Sequence, residues 1–276
     1  MKKLFAISVL LVFVLFPINS LKAEIVLQGE FGNTGFVGPP LTEMSVESLS
    51  GEIGDYEIFF CGINSSEATN FNNSIPNWTS VNIGGCAGSP DCLFGIWNKF
   101  SDNLGGVVNK CSWTFDAVLG IPGIFRYRGV DPDAPVISSS CNTGVSAIPI
   151  APGVDTEANS VVIRFFVTNG DSPTGTEFFP PEASSGLGFL SNSLSNGSNF
   201  LFRLAYGEFI SEDGFTPTAS IDLDETASWR ACSVALRAEP APPTEVPTLS
   251  EWGLIALAGV LGVIGLIVIR RRKVTA

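Results

Sequence analysis

Acidic side chains supply most of the reactive groups in this chain, and among them two short clusters are candidates for chemistry. Asp131 and Asp133 form an Asp-x-Asp pair inside Asp-Pro-Asp-Ala-Pro, while Asp222, Asp224 and Glu225 form a second cluster. Carboxylates on loops are hard oxygen ligands suited to Ca²⁺, and two of them facing each other across a cleft can cleave a glycosidic bond. Neither segment has the central Gly and distal Glu of an EF-hand loop. The plainer reading of Asp131-Pro-Asp-Ala-Pro135 is a rigid turn, in which proline fixes φ and an Asp side chain accepts a nearby backbone amide. The plainer reading of the second cluster is solvated charge at a strand edge. Trp78 and Trp97 sit in segments rich in Asn and Gly and offer flat faces for stacking on sugars. A Trp in a Cys-rich β domain more often fills the core or caps an edge.

The sequence contains no histidine, which removes Ser-His-Asp and Cys-His catalysis. Six cysteines remain as candidates for chemistry: Cys61, Cys86, Cys92, Cys111, Cys141 and Cys232. Without histidine and without Cys-x-x-Cys knuckles they do not form a zinc site. An even number in an exported segment reads as up to three disulfides. Cys86 and Cys92 bracket Ala-Gly-Ser-Pro-Asp, a turn that predicts a local bridge. No cofactor is expected.

The elements that must position these residues are strands. Tyr56–Cys61, Cys111–Phe115, Ile124–Arg128, Val161–Val167, Phe200–Tyr206 and Trp229–Leu236 are rich in aromatic and β-branched residues. Gly, Pro, Asn and Ser separate them, which predicts an all-β sandwich over residues 24–238. Val161–Val167 is dense enough in apolar residues to be buried on both faces. Arg126, Arg128 and Arg164 alternate with aromatics, which predicts one wet face and one core face. A short helix is expected near Ile96–Leu104, and no internal repeat is evident. Residues 239–245, Glu-Pro-Ala-Pro-Pro-Thr-Glu, read as an extended Pro-rich linker.

Both ends carry targeting features. Met1-Lys2-Lys3, an apolar stretch and Leu21-Lys22-Ala23 lay out a secretory signal peptide over residues 1–23. Residues 252–269 contain no charge and predict a single transmembrane helix. Arg270, Arg271, Arg272 and Lys273 follow as a basic stop-transfer cluster that stays on the cytoplasmic side. All 27 acidic residues lie between Glu24 and Glu251 with only eight of the 15 Lys and Arg, a net charge of −19. Such a surface repels nucleic acid, so no nucleic-acid partner is expected.

Just before the apolar run stand Val246-Pro247-Thr248-Leu249 and then Glu251-Trp252-Gly253. With the helix and basic end, these residues resemble the IPTL-CTERM protein-sorting domain of Gram-negative bacteria, Val246 standing where the pattern has Ile. The resemblance over residues 246–273 implies delivery to the cell envelope, with an inner-membrane intermediate and then display at the cell surface. It also implies an exosortase-type transpeptidase that cuts near the motif and passes the ectodomain to a surface acceptor.

Phe125-Arg-Tyr-Arg-Gly-Val-Asp-Pro-Asp-Ala-Pro-Val136 and the late strand Trp229–Arg237 carry a second resemblance. They are similar to a jelly-roll-like β-sandwich of secreted bacterial and phage-associated proteins, a group whose resemblance brings no activity with it. The resulting expectation is a non-enzymatic, surface-displayed sandwich that is structural, adhesive or ligand-binding. The alternatives are a surface carbohydrate-active enzyme and a calcium- or glycan-binding lectin-like module.

Overall fold

In the computed structural model, the described residues are 24–32, 41–48, 50–64, 77–88, 92–102, 105–106, 108–117, 119–170, 175–179, 186–196, 199–240, 255–256 and 258–263. The chain divides into two units, one of residues 22–239 and one of residues 1–21 with 240–276. Of the second unit, residues 255–256 and 258–263 are helical and exposed. Among the described residues no helix is long and apolar enough to cross a membrane. The predicted span over 252–269 is therefore not shown, and the rest of it lies outside the described residues. The predicted signal peptide over 1–23 lies outside them too.

The larger unit is built from strands, and among the described residues all of their pairings are antiparallel. Its first half contributes β1 (Val26–Gly32), β2 (Leu41–Glu47), β3 (Tyr56–Asn64), β4 (Thr79–Gly85), β5 (Cys92–Phe100), β6 (Val108–Ala117) and β7 (Leu119–Arg128). The second half contributes β8 (Val136–Ser146), β9 (Ile150–Ala151), β10 (Asp155–Thr156), β11 (Ser160–Gly170), β12 (Gly175–Phe179), β13 (Gly186–Asn196), β14 (Asn199–Ile210), β15 (Gly214–Phe215), β16 (Ala219–Leu223) and β17 (Ala227–Leu236). Two five-stranded sheets dominate, in the orders β1-β7-β3-β5-β4 and β8-β17-β11-β14-β13.

Strand alternation decides how the sheets stack. Tyr56, Ile58 and Phe60 point from β3 into the same core as Val161, Ile163 and Phe165 from β11. Phe60 meets Phe165 edge-on at a centroid distance of 5.1 Å, and Phe94 and Phe125 close around them. The predicted β-sandwich is therefore present, with its main core between the two sheets. The fit at Gly62 is close, since a Cβ there would stand 3.1 Å from Val167 and require that side chain to give by a few tenths of an ångström.

The outer faces are covered as well. On the first sheet, Phe59, Cys61, Ile63, Trp97 and Ile124 pack under Met44 and Val46 of β2, which pairs with β6. On the second, Phe166, Trp229 and Ala231 pack under Ala151, Ile221 and Leu223 of the sheet β12-β16-β9. β10 and β15 add a two-stranded patch. The dense run Val161–Val167 is buried on both faces for this reason.

Three expectations need correction. The predicted wet face of the arginines does not exist for Arg126 and Arg164, which are 0% exposed, because the outer layers roof over them. The predicted helix near Ile96–Leu104 is instead strand β5 up to Phe100, since pairing on both sides with β3 and β4 overrides local preference. The connectivity is not that of a jelly roll: every strand of the first large sheet precedes Val136 and every strand of the second follows Arg128.

The two sheets also repeat one another. In order of appearance, each runs first-fifth-second-fourth-third from edge to edge. In each, a segment between the first and second strands pairs with one between the fourth and fifth to make the outer cover: β2 with β6, then β9 with β16 and β10 with β15. Tyr56 pairs with Tyr127 as Val161 pairs with Leu236, which makes Phe60 and Phe165 equivalent positions. Arg128 closing on Asp55 matches Arg237 closing on Glu157. Where the two fifth strands end, the chain pairs with itself: Val130 bridges Ala238, Glu239 N donates to Gly129 O and Asp131 N donates to Arg237 O. This short ladder joins the corresponding ends of the two halves. The repeat escapes the sequence because it lives in pairing order and not in residue identity.

Cys86–Cys92 is bridged as the turn predicted, and Cys141 is bridged to Cys232 across β8 and β17. Cys61 is disulfide-bonded too; the Cys111 side chain lies outside the described residues. Sequence separations of 91 and 6 residues make the first two unequal constraints on the unfolded chain. Replacing Cys141 and Cys232 by Ala should cost about 2 kcal/mol more than replacing Cys86 and Cys92 by Ala, from the loop-length dependence of chain entropy. Urea unfolding of the two variants measures the difference.

Candidate functional site

The buried charges come first, because a buried ion must find partners inside the protein. Arg126 on β7 lies beneath the segment that leads into β3. Its Nε donates to Asp55 Oδ2 at 3.1 Å, its Nη1 to Glu57 Oε1 at 3.2 Å and its Nη2 to Glu52 O at 2.6 Å. Arg128 Nε donates to Asp55 Oδ1 at 2.9 Å. Lys99 Nζ stands 3.5 Å from Glu57 Oε2 and also lies 4.9 Å from the centre of the Trp78 ring.

The second half has its own buried guanidinium. Arg164 Nη1 donates to Pro152 O at 2.6 Å and to Ser233 Oγ at 2.8 Å. Its Nη2 reaches Thr216 Oγ1 at 3.0 Å, Pro217 O at 2.9 Å and Glu208 Oε2 at 3.4 Å. One side chain thereby ties the strands β11, β14 and β17 to the loops that carry β9, β10, β15 and β16.

The carboxyls respond differently to burial. Burial raises Glu57, and Lys99 and Arg126 recover only part of the shift. Burial likewise raises Glu208 against the pull of Arg164. At Asp55 burial also pushes upward, but hydrogen bonds from Arg128, the Glu52 amide and Arg126, with the Arg128 charge, outweigh it and hold the carboxyl below its ordinary value.

The sequence candidates are distributed otherwise. Asp131 accepts the backbone amide of Asp133 at 2.9 Å, the turn geometry its prolines suggest. Among the described residues no group of three or more His, Cys, Asp or Glu is placed to hold a metal ion. Trp97 is 1% exposed and packs on Phe59 at 5.7 Å between ring centres, so it is core and offers no face to a sugar. Trp78 is half-buried over Phe59, its Nε1 donating to Asn109 Oδ1.

An open depression of about 360 Å³ lies on the second half, between Thr156 and the turn Glu208–Pro217. Glu208 is on its lining and is held by Arg164. Glu212 and Asp213 are also there, the latter accepting the Ala158 amide at 2.6 Å. Phe215 stands beside them at 68% exposure. Sequence reasoning passed over this turn, although Ser-Glu-Asp-Gly-Phe between two strands was its visible signal.

At the C-terminus, Val246, Pro247, Thr248, Leu249, Glu251, Trp252 and Gly253, and the basic residues Arg270, Arg271, Arg272 and Lys273, lie outside the described residues. Here the comparison with known families decides. The IPTL-CTERM motif family matches residues 246–273. The chain carries an IPTL-CTERM motif. No curated protein and no solved structure matches the chain. The IPTL-CTERM motif is a C-terminal sorting signal, so the protein is marked for export to the cell envelope or surface and for processing by a sorting enzyme of exosortase type.

The buried network yields a prediction with a definite sign. Asp55 has a folded value below its unfolded one, so its contribution is complete above about pH 4 and is lost as pH falls through the folded value. Asp55→Asn should lower stability at pH 7 by about 3–5 kcal/mol, since it leaves two arginines short of their partner. It should also flatten the acid side of the stability curve. Urea unfolding from pH 3 to pH 7 checks both effects.

Proposed function

We propose that this protein is a non-enzymatic module displayed at the cell surface, where its β-sandwich serves a structural, adhesive or ligand-binding role. In this reading the apolar segment 252–269 holds the chain at the inner membrane until the sorting enzyme cuts near Pro247. The ectodomain then passes to a surface acceptor.

The observation that carries the non-enzymatic part is how the buried carboxylates are used. Asp55 and Glu57 close on Arg126, Glu208 closes on Arg164, and Asp131 caps its own turn. A general acid or base must reach a substrate proton, whereas these groups are committed to holding layers together. A second reading, a glycan-binding module, is favoured by Phe215, whose exposed ring stands beside the acidic turn of the depression. Exposed aromatic faces of this kind can stack on sugar rings.

Mass spectrometry of the surface-extracted mature protein tests the sorting reading. Peptides from residues 252–269 should be missing, and their retention would establish a permanent anchor instead. A polysaccharide-hydrolysis screen tests the rest. No turnover is expected, and turnover abolished by one Asp or Glu substitution would overturn the reading. On a glycan array, binding lost in Phe215→Ala would favour the second reading.

A further inference from the structure

The outermost strand of the second large sheet, β8, has a free edge. It pairs with β17 on one side, and among the described residues no strand pairs with the other. Its sequence over Val136–Ser146 is Val-Ile-Ser-Ser-Ser-Cys-Asn-Thr-Gly-Val-Ser, eleven residues without a charge or a proline. Ser139, Asn142, Thr143 and Val145 are exposed along it. Proteins ordinarily blunt a long edge with Lys, Pro, a bulge or a covering element, because unpaired N–H and C=O groups template the addition of another strand.

The opposite edge of this sheet, β13, is likewise eleven residues without a charge or a proline, but its register shifts between Gly186 and Phe189 and it lies against β1 and β7. The edges of the first sheet are treated differently. β1 carries Glu30. β4 is seven residues long, its register shifts between Ser80 and Asn82, and Arg230 reaches over to bond Asn82 and Gly85 O. β8 has a register shift of its own at Ile137 and Ser138 Oγ donates to Asp155 O, so the row left open runs from Ser139 to Ser146, held on the sheet by the Cys141–Cys232 bridge.

We infer that β8 is a homotypic docking edge: a second copy of this chain adds its own β8 in antiparallel register, joining the two second sheets into one. Charge selects this occupant. The stretch from Glu24 to Glu251 carries −19, so two copies repel over most of their surface and approach at least cost where a strip is neutral. Symmetry supplies the complementarity, since an antiparallel strand paired with itself about a two-fold axis meets each donor with an acceptor. A sorting signal that gathers copies on one surface raises their local concentration in the manner of a tether.

Sedimentation velocity on the full-length protein in a neutral detergent tests the inference. A reversible monomer–dimer equilibrium is expected, and it should tighten as salt screens the surrounding repulsion. If the pairing is centred on Cys141, Ser139 lies opposite Thr143 of the second copy. Ser139→Lys with Thr143→Lys should then weaken association about tenfold through like charges set opposite each other, with an unchanged melting temperature. Asn142→Lys is the second variant, should the first fail to fold. A monomer at every concentration, or a dimer indifferent to both salt and a folded Lys variant, overturns the inference.

Discussion

A guanidinium sealed from water is the constraint on which this sandwich depends. Arg126 and Arg164 are both 0% exposed, and each lies on the outer face of its sheet, where a simple two-layer sandwich would leave it in water. Enclosing such a group is costly unless its donors are satisfied. Most of these donors, though not Arg164 Nε, find acceptors in the loops that lead into and out of the outer cover. Arg126 collects the turn at Glu52 and Asp55, and Arg164 collects the carbonyls of Pro152 and Pro217 with the hydroxyl of Thr216. The cover therefore shields the charge, and the charge holds the cover.

The repeated strand order extends this logic. Two halves of one strand order present matching inner faces, and the equivalent residues Phe60 and Phe165 meet where those faces join. Apolar burial is the leading favourable term in such an assembly. The Val130–Ala238 bridge adds a short ladder between the halves. Both fully described disulfides close within one half, and among the described residues the contacts across the joint are packing and hydrogen bonds.

How much of this was legible in the sequence follows the range of the interactions. Turn chemistry is local, and both the Cys86–Cys92 loop and the Asp131 turn could be read from their residues. Apolar density is nearly local, which is why Val161–Val167 could be assigned to a doubly buried strand. The buried arginines were not legible, because an Arg between aromatics looks alike on a wet strand and under a roof. The roof is made by residues far away, such as Thr216 for Arg164. The strand order and its repetition were not legible either, since they depend on which distant strands pair. The sorting signal was fully legible, its information being a contiguous motif. The acidic turn from Ser211 to Phe215 carried a visible signal that the aromatics of longer strands overshadowed.

The function proposed rests on the same economy. Buried carboxylates serve as struts, the strongest address lies at the C-terminus, and the sandwich between is a rigid body suited to display. Its central physical claim is that two equivalent halves share one core. A specific protease site placed between Asp133 and Ala134 of the full-length chain tests it most directly. After cleavage under native conditions the halves should remain associated and unfold in a single cooperative transition. Separation of the two fragments, or two independent transitions before cleavage, would contradict the account.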